Sequence, residues 1–92
     1  MPALSSAEIE QRLPTIPEWR LDNAALVRSF SFADFVEAMQ FVNSVAAMAE
    51  NAGHHPDINI RYNKVSLALS SHDAGGITGR DFSLAAEIDR TS

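Results

Sequence analysis

The stretch "ENAGHHPDINIRYNK", residues 50–64, carries two of the chain's three histidines side by side. His54 and His55 follow a glycine and precede Pro56, Glu50 stands one helical turn upstream, and the remaining histidine, His72, lies further along. Imidazole ordinarily titrates near neutrality, so it can both donate and accept protons at working pH. Several imidazoles together suit a reaction that needs an acid and a base, such as elimination of water. The chain has no cysteine, which removes thiolate nucleophiles, thiolate metal sites and disulfides. A zinc site built from His and Glu is the competing chemistry. Adjacent residues in an extended chain point to opposite sides, so His54 and His55 do not readily share one ion. No HExxH motif occurs either, and metal ligation ranks second.

Other residues have plainer readings. "AGGITG" at 74–79 lacks the Walker and dinucleotide spacings and reads as a tight loop that lets backbone approach His72. Asp81 reads as a helix-start residue. Trp19 reads as core, although an indole beside a pocket would suit a flat aromatic ligand.

The elements that must bring the histidines together follow from periodicity. "LSSAEIEQRLP" has Ser5 and Glu8 spaced for a capping box, Ile9 and Leu13 on one face, and Pro14 as a stop. "EWRLDNAALVRSF" reads as a hairpin, with a first strand over Trp19–Leu21 and a turn at Asp22-Asn23. "SFADFVEAMQFVNSVAAMAENAG" reads as a helix capped by Ser31 and ended by Gly53. Its expected core stripe is Phe35, Met39, Val42, Val45, Ala46 and Ala49. "DINIRYNKVSLALSSH" alternates with period two on both arms and reads as a second hairpin. Thr78 is the expected cap of a last helix that turns Phe82, Ala85, Ala86 and Ile88 to the core.

The order is α-β-β-α-β-β-α, an α+β domain. Two hairpins merging into a four-stranded antiparallel sheet with helices packed on one face is the expected architecture. If Asn63-Lys64 is the turn of the second hairpin, Tyr62 faces Val65, Ile60 faces Leu67 and Ile58 faces Leu69. One more step sets His55 opposite His72, with Cβ atoms about 4.5–5.5 Å apart. Three imidazoles and Glu50 are then expected to converge where helix, hairpin and glycine loop meet.

Ninety-two residues make one expected domain, 1–92. Chains this short are marginal alone, and open sheet edges invite pairing, so a homo-oligomer joined edge to edge is expected. The net charge is −5 and the seven Lys and Arg residues form no run, which argues against nucleic-acid partners. No run reaches the ~20 apolar residues of a membrane span. The start, "MPALSSAEIEQ", has neither a basic nor an apolar targeting segment. A cytoplasmic protein is the expectation.

Glu50, His54, His55, Pro56, Tyr62, His72 and Asp81 together spell E-x3-H-H-P-x5-Y-x9-H-x8-D. With Trp19, "YNKV" at 62–65 and "GRD" at 79–81, the string resembles the signature of the pterin-4a-carbinolamine dehydratases over nearly the whole chain. The resemblance implies a four-stranded antiparallel sheet with helices on one side. It implies a lyase that dehydrates 4a-hydroxytetrahydrobiopterin to quinonoid 6,7-dihydrobiopterin and water, recycling the cofactor spent by aromatic amino acid hydroxylases. No metal and no cofactor are implied. By the same resemblance, His54, His55, His72 and Glu50 are the catalytic residues. Substrate contacts fall at His54, His55, Pro56, Ser71, His72, Asp73 and Ala74, with Trp19 lining the pocket. A homodimer or homotetramer is implied. Some relatives serve as dimerisation cofactors of a transcription factor, which is the alternative reading, alongside a His/Glu metal-dependent enzyme.

Overall fold

The structure, a computed structural model, describes residues 3–91; Met1, Pro2 and Ser92, the ends of the expected 1–92 unit, lie outside them. Helix α1 covers Ser6–Arg12 and carries the expected capping box. The Ser5 N–H donates to Glu8 Oε1 at 2.9 Å, and the Glu8 N–H donates to Ser5 Oγ at 3.2 Å. That reciprocal pair satisfies two of the donors a helix start leaves open. A 3-10 turn, Leu13–Thr15, places Pro14 where its missing N–H does no harm.

Strands β1, Arg20–Asp22, and β2, Ala25–Ser31, form the first hairpin. Its turn is Asn23-Ala24 rather than Asp22-Asn23, with φ of 50° and 62° at the two residues. Two consecutive left-handed residues match the twist of a two-residue hairpin.

Helix α2, Phe35–Ala52, is capped by Asp34 and not by Ser31, which ends β2. Asp34 Oδ1 accepts the Glu37 N–H at 2.9 Å, and Glu37 Oε1 accepts the Ala33 N–H at 3.2 Å. The apolar stripe is also rotated from expectation. Ala38, Phe41, Val42, Val45, Met48 and Ala49 are buried, whereas Phe35 is 49% exposed and Ala46 faces outward. The cause is an aromatic cluster that α2 must meet: the Phe41 ring lies 4.5 Å from that of Phe30 and 5.1 Å from that of Phe32.

Strands β3, Asp57–Arg61, and β4, Lys64–Leu69, complete an antiparallel sheet of order β1-β2-β4-β3. The second hairpin turns at Tyr62-Asn63, so Arg61 pairs with Lys64, Ile60 with Val65 and Ile58 with Leu67. This is two residues from the expected register. Asn63 is held by β2: its Nδ2 donates to Phe32 O at 2.9 Å and its carbonyl accepts the Phe32 N–H at 2.8 Å. Lys64 must also pair with Ser31 across the β2–β4 ladder. A slip of two leaves every side chain on its expected face, because the strand period is two. His55 is therefore not opposite His72.

Helix α3, Gly79–Thr91, follows Thr78 as expected. Leu26, Val65, Leu67 and Leu69 face the helices with no exposed surface, joined by Val45, Ala85 and Ile88. Ser29 and Ser66 lie on the opposite, uncovered face, their hydroxyls 3.1 Å apart. The fold is α+β, with helices on one side of a four-stranded antiparallel sheet.

Candidate active site

His54 owes its position to how α2 ends. Gly53 takes a left-handed conformation, φ 62° and ψ 31°. Its N–H donates to Glu50 O at 3.2 Å, while the His54 N–H reaches back to Ala49 O at 3.1 Å. These are the two bonds of a Schellman motif, and they turn the next side chain inward across the helix end. His54 is consequently 8% exposed. His55 faces the other way, its Nε2 2.9 Å from Glu50 Oε2 in an exposed pair. One dipeptide therefore supplies two imidazoles in different surroundings.

Behind His54 lies a buried polar chain. His54 Nε2 is 2.5 Å from Asp81 Oδ1. Asp81 Oδ2 accepts the Ser71 hydroxyl at 2.9 Å and the Thr78 N–H at 2.9 Å. Ser71 Oγ and Thr78 Oγ1 are 2.8 Å apart, and Thr78 Oγ1 also accepts the Arg80 N–H at 3.3 Å. Ser71, Thr78 and Asp81 have no exposed surface. Polar groups this deep are tolerated because each is paired. Asp81 is the expected helix-start residue and also the partner of His54, a pairing across sequence that local signals did not reveal.

His72 opens a short 3-10 turn, His72–Ala74, closed by Gly75 at φ 74°. The turn is pinched by the Ser71–Gly76 bridge, with Ser71 N to Gly76 O at 2.8 Å. The Leu4 N–H bonds Ile77 O at 2.7 Å, which ties the N-terminal segment to the loop. His72 stays exposed.

His54, His55 and His72 meet around one cleft of about 310 Å³, with Asp73 and Arg80 on its wall and Gly53 and Ser70 completing it. The three histidines thus converge without the expected cross-strand pairing; the helix end and the glycine loop bring them together. Arg80 was not singled out from the sequence, although it lies within the quoted "GRD". Its Nη2 donates to Asp73 Oδ1 at 2.8 Å, and this hydrogen bond holds the Asp73 carboxyl below the usual aspartate value. The Nε of Arg80 is buried with no partner among the described residues.

Other expected site residues lie elsewhere. The Glu50 carboxylate does not line the cleft and meets it through His55. Ser71 sits behind the cleft, on Asp81. Pro56 and Ala74 are half-buried beside it and do not line it. Trp19 is not brought to it: the indole is 4% exposed, stands edge-on to Phe30, and donates Nε1–H to Asp89 Oδ1 at 2.8 Å. Among the described residues, no three His, Asp or Glu side chains are grouped as ligands of one ion.

The cleft thus offers one buried, oriented imidazole, two accessible imidazoles and an Arg80–Asp73 ion pair on its wall, which is equipment for moving protons on a small polar molecule. The family model for pterin 4 alpha carbinolamine dehydratase matches residues 2–91. The chain belongs to the pterin-4-alpha-carbinolamine dehydratase family. A Chloroflexus aurantiacus protein, named provisionally as such a dehydratase, is 58% identical over 97% of this chain and 96% of its own length. An Acidobacterium capsulatum protein, named in the same provisional way, is 57% identical over 97% of each. The crystal structure of a transcriptional coactivator/pterin dehydratase from Brucella melitensis superposes with a TM-score of 0.91 at 31% identity, covering 96% of both chains. A pterin dehydratase-like protein described as a RuBisCO assembly factor of the alpha-carboxysome gives 0.68 at 26% identity, over 79% of this chain and 87% of its own. Pterin dehydratase-family membership thus spans proteins with enzymatic and with assembly roles.

Proposed function

We propose that this protein dehydrates 4a-hydroxytetrahydropterins to the quinonoid dihydropterin and water. The single observation behind this reading is the meeting of His54, His55 and His72 at one cleft. In the reaction the C4a–O bond breaks, the hydroxyl leaves as water after taking a proton, and N5 loses its proton as the C=N bond forms. The hydroxyl is a poor leaving group until protonated, so an imidazolium is needed on one side and a base on the other. His54 and His72 are the base and acid pair, acting from different elements. His55, held by Glu50, orients the substrate. Arg80, on the cleft wall, offers a guanidinium donor to the pterin's polar edge.

On this reading the substrate is the spent cofactor of an aromatic amino acid hydroxylase, and the work is done in the cytoplasm without metal or cofactor. No helix among the described residues is long and apolar enough to cross a membrane. The protein acts as a homo-oligomer joined along β3, whose residues are all exposed and whose Ile58 and Ile60 are 36% and 37% exposed.

Stopped-flow decay of a 4a-hydroxypterin tests the assignment. Removing a general acid or base should slow the step about 10²–10⁴-fold, so His54→Ala and His72→Ala should fall by that order. His55→Ala should chiefly raise KM. If His55→Ala alone abolished dehydration, the division of roles would be wrong; if wild type left the decay at its buffer rate, the function would be.

A further inference from the structure

We propose that Asp81 is a positioning residue that keeps the proton on Nε2 of His54, leaving Nδ1 as the atom that exchanges protons with the bound molecule. The inference rests on the dehydratase reading for its catalytic consequence, but its structural part does not.

The buried chain has a direction. The Arg80 N–H donates to Thr78 Oγ1, so the Thr78 hydroxyl hydrogen is free to point at Ser71 Oγ. The Ser71 hydroxyl hydrogen then points at Asp81 Oδ2, which also receives the Thr78 N–H. A backbone N–H can only donate, so Oδ2 must accept. Donors in series polarise one another in a dry interior. They converge on a carboxylate with one acceptor left over, Oδ1, and the atom facing it is His54 Nε2 at 2.5 Å. Nε2 must therefore be N–H. Neutral imidazole carries one ring proton, so with Nε2 protonated Nδ1 holds the free lone pair. Nδ1 takes part in no hydrogen bond among the described residues, and the imidazole lines the cleft.

The same geometry says what an amide would do. In Asp81→Asn the Thr78 N–H still requires an acceptor, so the amide oxygen takes the Oδ2 place. Its NH₂ then faces His54 Nε2, which can meet it only by accepting. The proton moves to Nδ1, and the nitrogen left to the cleft becomes a donor. A residue that merely filled space or capped α3 would leave the tautomer alone.

The test is ¹⁵N NMR of the histidine side chains in the full chain, with kinetics of the same samples. In the wild type with neutral imidazole, Nε2 of His54 should carry the proton; in Asp81→Asn, Nδ1 should. The variant's kcat should fall about 10²–10⁴-fold with KM changed less than about threefold, as when the acid behind a catalytic imidazole becomes its amide. Ser71→Ala leaves the Thr78 N–H on Oδ2, so it should keep the wild-type tautomer and lose less than about tenfold in kcat. Wild-type His54 with its neutral proton on Nδ1 would overturn the proposal without any variant having to fold. So would an Asp81→Asn protein whose tautomer changed while kcat did not. Wild type with Nε2–H and no dehydratase activity would count against the proposed function and leave the positioning by Asp81 standing.

Discussion

At the scale of single residues, the cleft separates groups by what stands behind them. His54 is buried against a carboxylate, whereas His55 shares an exposed contact with Glu50, and adjacent positions acquire different surroundings. Adjacency was legible in the sequence; the burial difference was not, because it depends on Asp81 arriving from α3. The Arg80–Asp73 pair is testable here. Arg80 holds the Asp73 carboxyl below its usual value, so the folded state binds that proton less readily than the unfolded chain. The pair's contribution is present above the ordinary aspartate range and is lost as pH falls through the lowered value. Arg80→Gln should return the Asp73 midpoint upward, read by carboxyl ¹³C titration. An identical midpoint in both proteins would mean that the contact does not form in solution. The same variant should weaken pterin binding, since both side chains line the cleft.

At the scale of elements, local signals and tertiary demands can be told apart. The capping box of α1 needs only Ser5 and Glu8 and was readable directly. The Glu8 carboxyl lies below its usual value because it accepts the Ser5 N–H. The α2 stripe needed more: any helix with so many apolar residues offers two adjacent faces, and Phe30 on β2 and Phe32 just beyond it decided between them. The first hairpin places Ala24 at φ 62°, a conformation that L side chains resist. Left-handed backbone costs about 1–2 kcal/mol, against about 0.5–1 kcal/mol of extra chain entropy for glycine. Ala24→Gly should therefore stabilise the protein by about 0.5–1 kcal/mol, seen as a higher urea midpoint with an unchanged slope. A lower midpoint would show that the turn is held by contacts of the alanine methyl and is not strained.

At the scale of the whole molecule, β1 and β3 are the edges of the sheet; β1 is three residues long and exposes Leu21, whereas β3 is five residues long and exposes Ile58 and Ile60. Ile58 and Ile60 point to the helix side of the sheet, yet no helix among the described residues covers them, and Tyr62 is 65% exposed next to them. Such an edge is a template for another strand unless a charge blocks it. Ile60→Lys should convert an oligomer to a monomer in light scattering while leaving the far-UV circular dichroism unchanged. A wild type that is monomeric at every concentration would remove the edge as an interface.

The sequence by itself determined the strand periodicities, the capping box of α1, the helix-ending glycine, the faces of the strands and the family string that joins Glu50, the histidines and Asp81. Each of these depends on residues within a few positions, or on a pattern that survives an even slip. Tertiary structure alone decided which two residues make each hairpin turn, because β2 grips Asn63 and Lys64 from the side. It also decided that the buried Trp19 serves the half-buried Asp89, that Arg80 walls the cleft, and that Asp81 stands behind His54. Those pairings join residues far apart in the chain, and a buried donor finds its acceptor only once the helices have closed over the sheet.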